Sequence, residues 1–406
     1  AKAERIGAVS GSATLLTLGT DGRGTLIDRL APGPFETVAR DADDLAAILY
    51  TSGTTGRSKG AMLSHGNLSS NALVLKDYWR WQDGDVLIHA LPIYHVHGLF
   101  VAIHGAMLNG STMLFHKSFD ADAVLADFAR ATILMGVPTF YVRLAAHPGL
   151  TRAACAGMRL FISGSAPLLE APFAAFAEKS GQTILERYGM TEAGMITSNP
   201  YDGDRIAGTV GYALPGVSVR IADDQGREMP RGEPGVLEMK GPNLFRGYWR
   251  NPEKPAEEHR ADGFFITGDV ATMAEDGRIA IVGRAKDLII AGGFNIYPKE
   301  IELAIDAAPG IGESAVIGVP HPDLGEAVVA VATRSGGVDE AAVLAAIADQ
   351  LARVKQPRRV LFVDADEAEI PSVRACLARS TPNIQVEVAH TIAEALAFLP
   401  AAAAPA

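Results

Sequence analysis

The chain has 406 residues, of which 48% are hydrophobic and 20% are charged, and its formal net charge is -11. This composition predicts a globular protein with two or three domains. The negative charge argues against nonspecific binding to nucleic acid or to anionic membranes, which requires a basic surface. No stretch approaches the roughly 20 apolar residues of a membrane span. Cys155 and Cys376 form no CxxC pair, which predicts reduced thiols, a cytoplasmic location and no structural zinc.

Residues 50–60 form a loop of hydroxyl side chains, glycines and one lysine between two apolar runs. The run before the loop predicts a buried strand, and Asn67 is a candidate cap for a helix over residues 68–78. Glycines let backbone N–H groups approach an anion, hydroxyls add donors, and Lys59 adds a positive charge. The loop therefore predicts a phosphate site, with an ordinary polar turn as the alternative.

Short apolar strands then alternate with loops and helices. Strands are predicted over residues 86–91, 112–115, 133–138 and 158–162, and helices over residues 121–131 and 169–179. This alternation predicts an α/β fold in which helices cover a largely parallel sheet and ligands bind at the strand ends.

The texture of the sequence divides the chain into three parts. Residues 1–283 are predicted to form a large domain, within which short alternating strands make residues 208–283 a β-rich subdomain. Residues 284–363 are predicted to form a small α+β domain, and residues 364–406 a separate tail.

Six loops, in this order, resemble those of the acyl-adenylate-forming (AMP-binding) superfamily of acyl-CoA synthetases, luciferases and adenylation domains. They are residues 51–59, 94–98, 163–167, 188–192, 267–269 and 283–298. Within that superfamily, residues 92–98, 136–143, 188–192 and 199–205 look most like malonyl-CoA synthetases. The resemblance implies the adenylate-forming fold and an acid–CoA ligase that converts malonate or methylmalonate to the CoA thioester through an acyl-adenylate. ATP, Mg²⁺ and coenzyme A are the small molecules it implies.

The resemblance also implies residues for the nucleotide. The β- and γ-phosphates would be wrapped by Thr51, Ser52, Gly53, Thr54, Thr55, Gly56 and Lys59. Thr191 would reach the α-phosphate, and Glu192 would hold Mg²⁺, a hard ion suited to carboxylate and phosphate oxygens. The adenine and ribose would be held by Gly164, Ser165, Ala166, Pro167, Tyr188, Gly189, Met190, Asp269 and Arg284.

The acid and the thiol have their own implied contacts. Arg143 and Ser165 would bind the second carboxylate of a dicarboxylic acid, because burying that charge unpaired costs several kcal/mol. The alternative for Arg143 is a surface arginine with a buried stem. His95 would lie near the reacting carboxylate, and a metal site formed by His95 and His97 lacks a third ligand in the sequence. The hinge and the coenzyme A arm would use Lys286, Gly292 and Gly293.

Two departures from the family pattern affect the expected activity. About a hundred residues that normally begin the large domain are not found, and no lysine follows Lys355, where the family has one that bridges the acid and the α-phosphate. Weak adenylation is therefore expected. Residues 364–406 resemble the start of a response-regulator receiver domain without its phosphorylated aspartate. Two alternatives remain open: a ligase for another short carboxylic acid, and a catalytically silent protein that binds ATP or AMP.

Overall fold

A computed structural model describes residues 14–19, 21–31, 33–34, 36–51, 59–251, 258–291, 294–321, 324–334 and 337–364. The chain divides into two compact units, Ala1–Asp41 and Ala42–Ala406. The first contains a 3-10 turn at Ile27–Arg29 and hydrogen bonds between Thr17 and Thr25. The elements described below belong to the second unit.

The helices are α1 (His65–Tyr78), α2 (His104–Asn109, preceded by a π-helical segment His97–Ile103), α3 (Ala121–Asp127), α4 (Pro138–Ala146), α5 (Glu170–Ser180), α6 (Pro298–Asp306) and α7 (Glu340–Ile347). The strands are β1 (Leu45–Thr51), β2 (Lys59–Ser64), β3 (Val86–His89), β4 (Thr112–Phe115), β5 (Ile133–Gly136), β6 (Leu160–Ser163), β7 (Leu185–Met190), β8 (Gly194–Ser198), β9 (Tyr212–Ala213), β10 (Ser218–Ala222), β11 (Gly235–Lys240), β12 (Phe265–Met273), β13 (Ile279–Arg284), β14 (Ile289–Ala291), β15 (Phe294–Ile296), β16 (Ile311–His321), β17 (Gly325–Arg334) and β18 (Arg359–Asp364).

A seven-stranded sheet in the order β4-β3-β5-β6-β7-β8-β9 forms the centre of the large domain. The strands from β4 to β7 are parallel, and β8 and β9 are antiparallel. Every residue of β5 and β6 is buried, since helices cover both faces of the sheet. Ile133 and Leu134 accordingly belong to different hydrophobic clusters on the two faces. The predicted parallel, helix-covered sheet is confirmed.

Two smaller sheets follow along the chain. Strands β10 to β13 form an antiparallel sheet in sequence order, as the alternating pattern of the β-rich subdomain predicts. Strands β14 to β18 form a five-stranded sheet whose apolar face packs against α6 and α7 through Ile301, Ile305 and Val343. The large domain and the small α+β domain are thus both present, as predicted. The boundary assigned at residue 283 stays a prediction.

Three local predictions were wrong. Helix α1 begins at His65 and is capped by the Ser64 side chain; Asn67 is the third residue of the capping box instead of the cap. Residues 138–146 form a helix and not the end of a strand, because Pro138 suits the first helical turn and the buried side chains recur at helical spacing. Residues 188–190 continue β7, which pairs with β8, instead of forming a loop.

Candidate functional site

Three segments that carry predicted site residues leave the central sheet at its carboxyl edge. The loops after β3 and β6, and the turn after β7, all leave the sheet at this edge, because the strands are parallel. Thr191 lies in the tight turn between β7 and β8 and is partly buried. The structure thus brings together segments that are about a hundred residues apart in the chain.

The loop after β6 begins with four small residues, Gly164, Ser165, Ala166 and Pro167. Gly164 is buried, and a Cβ atom at this position would overlap the guanidinium of Arg187. Ser165 has a φ of 72°, in the left-handed region that residues with a side chain adopt at a cost and mostly at functional sites. Ala166 and Pro167 are exposed beyond it. Because these residues are small and exposed, a flat aromatic ring could lie against the loop.

Tyr188, Asp269 and Arg284 form one connected group beside that loop. The Tyr188 hydroxyl donates to Asp269 Oδ2 at 2.5 Å, and Arg284 Nε lies 3.1 Å from Asp269 Oδ1. Asp269 and Arg284 are paired across β12 and β13, so the sheet register holds them together. Burial, and then the charge of Asp269, raise the pKa of Tyr188 well above its ordinary value. Asp269 lies inside β12 and not in a turn.

His97 is the histidine that contacts Ser165. His97 Nδ1 lies 3.2 Å from Ser165 Oγ, and the histidine is 3% exposed. Its Nε2 atom is buried and has no hydrogen-bond partner among the described residues. Burial lowers the pKa of His97 well below the ordinary range, so the ring is neutral at pH 7. His95, the residue assigned from the sequence, is exposed and packs beside Tyr94 at 4.7 Å between ring centroids.

Arg187 is the functional candidate that sequence reasoning missed. Its side chain is buried behind Gly164, and within the described parts of the chain neither Nε nor Nη2 has a hydrogen-bond partner. Burial lowers its pKa to about 9, which still leaves the guanidinium charged at neutral pH. Its position directly before the loop of residues 188–192 was the available signal. Arg143, the predicted carboxylate ligand, is exposed in the last turn of α4, and its role stays a prediction.

Lys59 and Glu192 belong to a second polar cluster, together with Tyr248 and Glu258. Lys59 Nζ lies 3.3 Å from Glu258 Oε1 and 5.0 Å from the centroid of the Tyr248 ring. The Tyr248 hydroxyl donates to Glu192 Oε1 at 2.9 Å. Burial raises the pKa of Glu192, and the charge of Glu258 adds to that effect. Neither Tyr248 nor Glu258 lies in a recognised motif.

Glu192 is suited to the Mg²⁺ that the family implies. It is a buried carboxylate that has Glu258 as a negatively charged neighbour, so a divalent cation would relieve the repulsion between the two. No group of three or more potential metal ligands occurs in the described parts of the chain. The remaining ligands would therefore be phosphate and water oxygens, which commonly coordinate Mg²⁺ in proteins.

Several predicted residues cannot be placed. Residues 52–56, Gly292, Gly293 and the tail from residue 365 lie outside the described residues. Thr51 ends β1 and is partly buried. Lys286 lies in a 3-10 turn, Ala285–Asp287, between the β-rich sheet and the small sheet.

Among the described helices, none combines the length and the apolar character needed to cross a membrane.

Comparison with known proteins identifies relatives for this arrangement. Residues 8–249 match the family "AMP-binding enzyme", and residues 300–372 match "AMP-binding enzyme C-terminal domain". A crystal structure of ATP-bound MatB from Rhodopseudomonas palustris superposes with a TM-score of 0.87 at 59% identity, covering 89% of this chain and 73% of that one. A malonyl-CoA ligase in a product complex with methylmalonyl-CoA and AMP has a TM-score of 0.60 at 39% identity, covering 84% and 75%.

A curated relative is named for feruloyl-CoA and not for malonyl-CoA. A feruloyl-CoA synthase from Amycolatopsis is 40% identical over 330 residues, which are 79% of this chain and 66% of the relative. The chain thus spans just under two-thirds of the length of that relative.

Proposed function

The chain belongs to the AMP-binding enzyme family, and we propose that it is an ATP-dependent acid–CoA ligase acting on malonate. In the first half-reaction a carboxylate oxygen of the acid attacks the α-phosphorus of ATP, forming an acyl-adenylate and releasing pyrophosphate. In the second, the thiol sulfur of coenzyme A attacks the acyl carbon, and AMP leaves with the bonding electrons. The thiol proton passes to solvent or to a base.

The buried guanidinium of Arg187 is the observation that carries the choice of a dicarboxylic acid. A buried cation without a counter-ion costs several kcal/mol, and an arriving carboxylate removes that cost through charge-assisted hydrogen bonds. The Nε2 atom of His97 is likewise buried and without a partner in the described chain. The Ser165 hydroxyl lies next to this ring. A second carboxylate, such as that of malonate, would supply negative charge and hydrogen-bond acceptors to these groups.

The other half of the site suits a nucleotide. Asp269 would accept hydrogen bonds from the ribose hydroxyls, held in place by Tyr188 and Arg284. Lys59 would bind the departing pyrophosphate, where charge accumulates as the bond to the α-phosphorus breaks. Thr191 would donate to the α-phosphate. Mg²⁺ held by Glu192 would neutralise charge on the phosphate oxygens.

The comparisons support the proposed reaction. The ATP-bound MatB structure, at 59% identity, shares the fold over 89% of this chain. The malonyl-CoA ligase structure, at 39% identity, holds methylmalonyl-CoA and AMP. Coenzyme A would approach through the region of Lys286, Gly292 and Gly293. A hinge at Lys286 would let the small domain present different faces in the two half-reactions.

An acid panel with matched arginine variants tests the proposal. Acid-dependent pyrophosphate release is measured with malonate, methylmalonate, acetate, ferulate and a long-chain fatty acid, with and without coenzyme A. Malonate is expected to give the highest kcat/KM. Arg187→Met should lower kcat/KM for malonate by roughly 10- to 100-fold, the equivalent of one charged hydrogen-bond pair. Arg143→Met, in parallel, tests the arginine predicted from the sequence.

Two outcomes of this panel would overturn the proposal. One is undiminished malonate turnover by Arg187→Met, which would remove its structural basis. The other is a wild-type preference for a monocarboxylic acid. Unfolding measurements on Arg187→Met test whether a loss is caused by misfolding. Removing a buried charge whose Nε and Nη2 atoms have no partner among the described residues should leave the empty protein at least as stable.

A ligase for another carboxylic acid is the alternative with a specific observation behind it. The feruloyl-CoA synthase is 40% identical to this chain. Ferulate has one carboxylate, which reacts, so it would leave Arg187 without a counter-ion. Higher kcat/KM for ferulate than for malonate would establish this alternative. Tight ATP binding without acid-dependent pyrophosphate release would instead indicate a catalytically silent nucleotide-binding protein.

A further inference from the structure

We propose that Glu258 is a counter-ion switch for Lys59, pairing with this lysine when the pyrophosphate site is empty and yielding it to the phosphates when nucleotide binds. The inference rests on the proposed role of Lys59 at the β- and γ-phosphates. It assigns a function to a glutamate that lies outside the six loops on which the resemblance to the family rests.

The ion pair is shielded from solvent. Lys59 Nζ lies 3.3 Å from Glu258 Oε1, and the two side chains are 11% and 21% exposed. An exposed lysine–glutamate pair contributes little because water and salt screen it. Here the shielding strengthens the interaction of Lys59 with whichever anion it faces. While Lys59 pairs with Glu258, it interacts less strongly with a phosphate.

Tyr248 ties this pair to Glu192. The strand segment carrying Tyr248 runs alongside β2, with Ala61 paired to Tyr248 and the N–H of Trp249 donating to the carbonyl of Gly60 at 2.8 Å. The Lys59 ammonium lies over the Tyr248 ring, and the Tyr248 hydroxyl donates to Glu192. Lys59 thus pairs with one carboxylate, Glu258, and lies over the tyrosine that donates to the other carboxylate, Glu192.

The residue that follows Glu258 packs among aromatic side chains. This residue, His259, packs against Phe265 at 5.2 Å between ring centroids and stacks near Phe245 at 6.4 Å. The backbone N–H of Phe245 in turn donates to the carbonyl of Glu192 at 2.8 Å. The same aromatic group therefore lies beside the backbone of both glutamates.

The arrangement has a directional consequence for ligands. A triphosphate or a pyrophosphate must displace Glu258 from Lys59 and then lie near its negative charge. AMP has no phosphate that reaches Lys59. Glu258 therefore weakens the binding of ATP and pyrophosphate without affecting AMP, which favours release of pyrophosphate after adenylation.

Binding measurements on the full chain test this switch. Calorimetric titrations with ATP in the presence of Mg²⁺, with pyrophosphate and with AMP compare the wild type with Glu258→Gln. The variant is expected to bind ATP and pyrophosphate about 5-fold more tightly, the scale of one partly shielded ion pair, and AMP equally well. Glu233→Gln, an exposed glutamate of the same subdomain, is the matched control and should change none of these affinities.

A second variant covers poor folding of the first. Glu258→Asp keeps the charge but lengthens the distance to Lys59, so its affinity for pyrophosphate should fall between those of the wild type and Glu258→Gln. Unchanged or weaker ATP and pyrophosphate binding in both variants would overturn the switch, as would an equal gain for AMP. Failure of the wild type to bind any of the three ligands would overturn the proposed function as well, so the two failures are distinguishable.

Discussion

The guanidinium of Arg187 lies directly against the backbone of Gly164, with no room for a Cβ atom between them. Gly164 begins the loop proposed for the adenine, whereas Arg187 is the cation proposed for the second carboxylate of the acid. One backbone position therefore lies between the proposed nucleotide and acid halves of the site. A side chain at this position would disturb both halves.

Gly164→Ala should damage acid recognition more than a small substitution elsewhere. The added methyl group forces Arg187 to move, and such overpacking costs roughly 1–3 kcal/mol of folding stability. We expect KM for malonate to rise at least about 10-fold, the equivalent of about 1.4 kcal/mol. Steady-state kinetics and urea unfolding measure the two effects. Gly157→Ala, where the new Cβ meets only ordinary contacts, is the control; equal KM values for the two variants would contradict the expectation.

Asp269→Asn should weaken AMP and ATP binding to the same degree. The substitution removes the charge that pairs with Arg284 and accepts the hydrogen bond of Tyr188. A loss of roughly 10- to 100-fold is expected, because hydrogen bonds to charged groups contribute about 1.5–3 kcal/mol. Calorimetric titration measures it, with the exposed Glu275→Gln as control. Unaltered AMP affinity would show that Asp269 does not hold the ribose.

Glu186 should make the stability of the protein depend on pH. Burial raises its pKa to about 8, while one of its oxygens accepts a hydrogen bond from the Leu168 N–H at 3.4 Å. Since the usual pKa is about 4.3, the folded state binds the extra proton between the two values, and its stabilising effect is lost as the pH rises through about 8.

The corresponding variant is Glu186→Gln, which is neutral at every pH. At pH 9 it should be more stable than the wild type by on the order of 1–3 kcal/mol, and the difference should shrink at pH 6. Urea unfolding at both pH values measures it. Glu178→Gln, an exposed glutamate of α5, serves as the control. A difference that is the same at pH 6 and pH 9 would refute the assignment.

Ser64→Ala should destabilise the large domain by about 1 kcal/mol, the usual contribution of a helix cap. Ser64 Oγ accepts from the N–H of Asn67 at 3.1 Å, and the Asn67 side chain accepts from the N–H of Ser64 at 2.9 Å. Ser69→Ala, on the exposed side of the same helix, should change the free energy of unfolding by much less. Equal losses in the two variants would contradict the role assigned to the cap.

Local patterns in the sequence were enough for the fold class and the family. Short apolar strands that alternate with loops and helices predict a parallel sheet with ligands at its edge. That sheet was found, and so were the smaller β-rich and α+β sheets. The helix at Pro138–Ala146 was not predicted, because a short apolar run fits a strand or a buried helix equally well until its packing decides.

The tertiary structure alone decided which polar groups meet and which remain without a partner. Lys59 and Glu258 are 199 residues apart, and Tyr188 and Asp269 are 81 apart, so no local pattern relates them. The role proposed for Arg187 depends on the burial of its guanidinium and on the lack of a partner for two of its nitrogens in the described chain. Burial and pairing depend on chain segments that are distant in sequence. The sequence therefore determined the kind of chemistry, and the folded chain determined which side chains are placed to perform it.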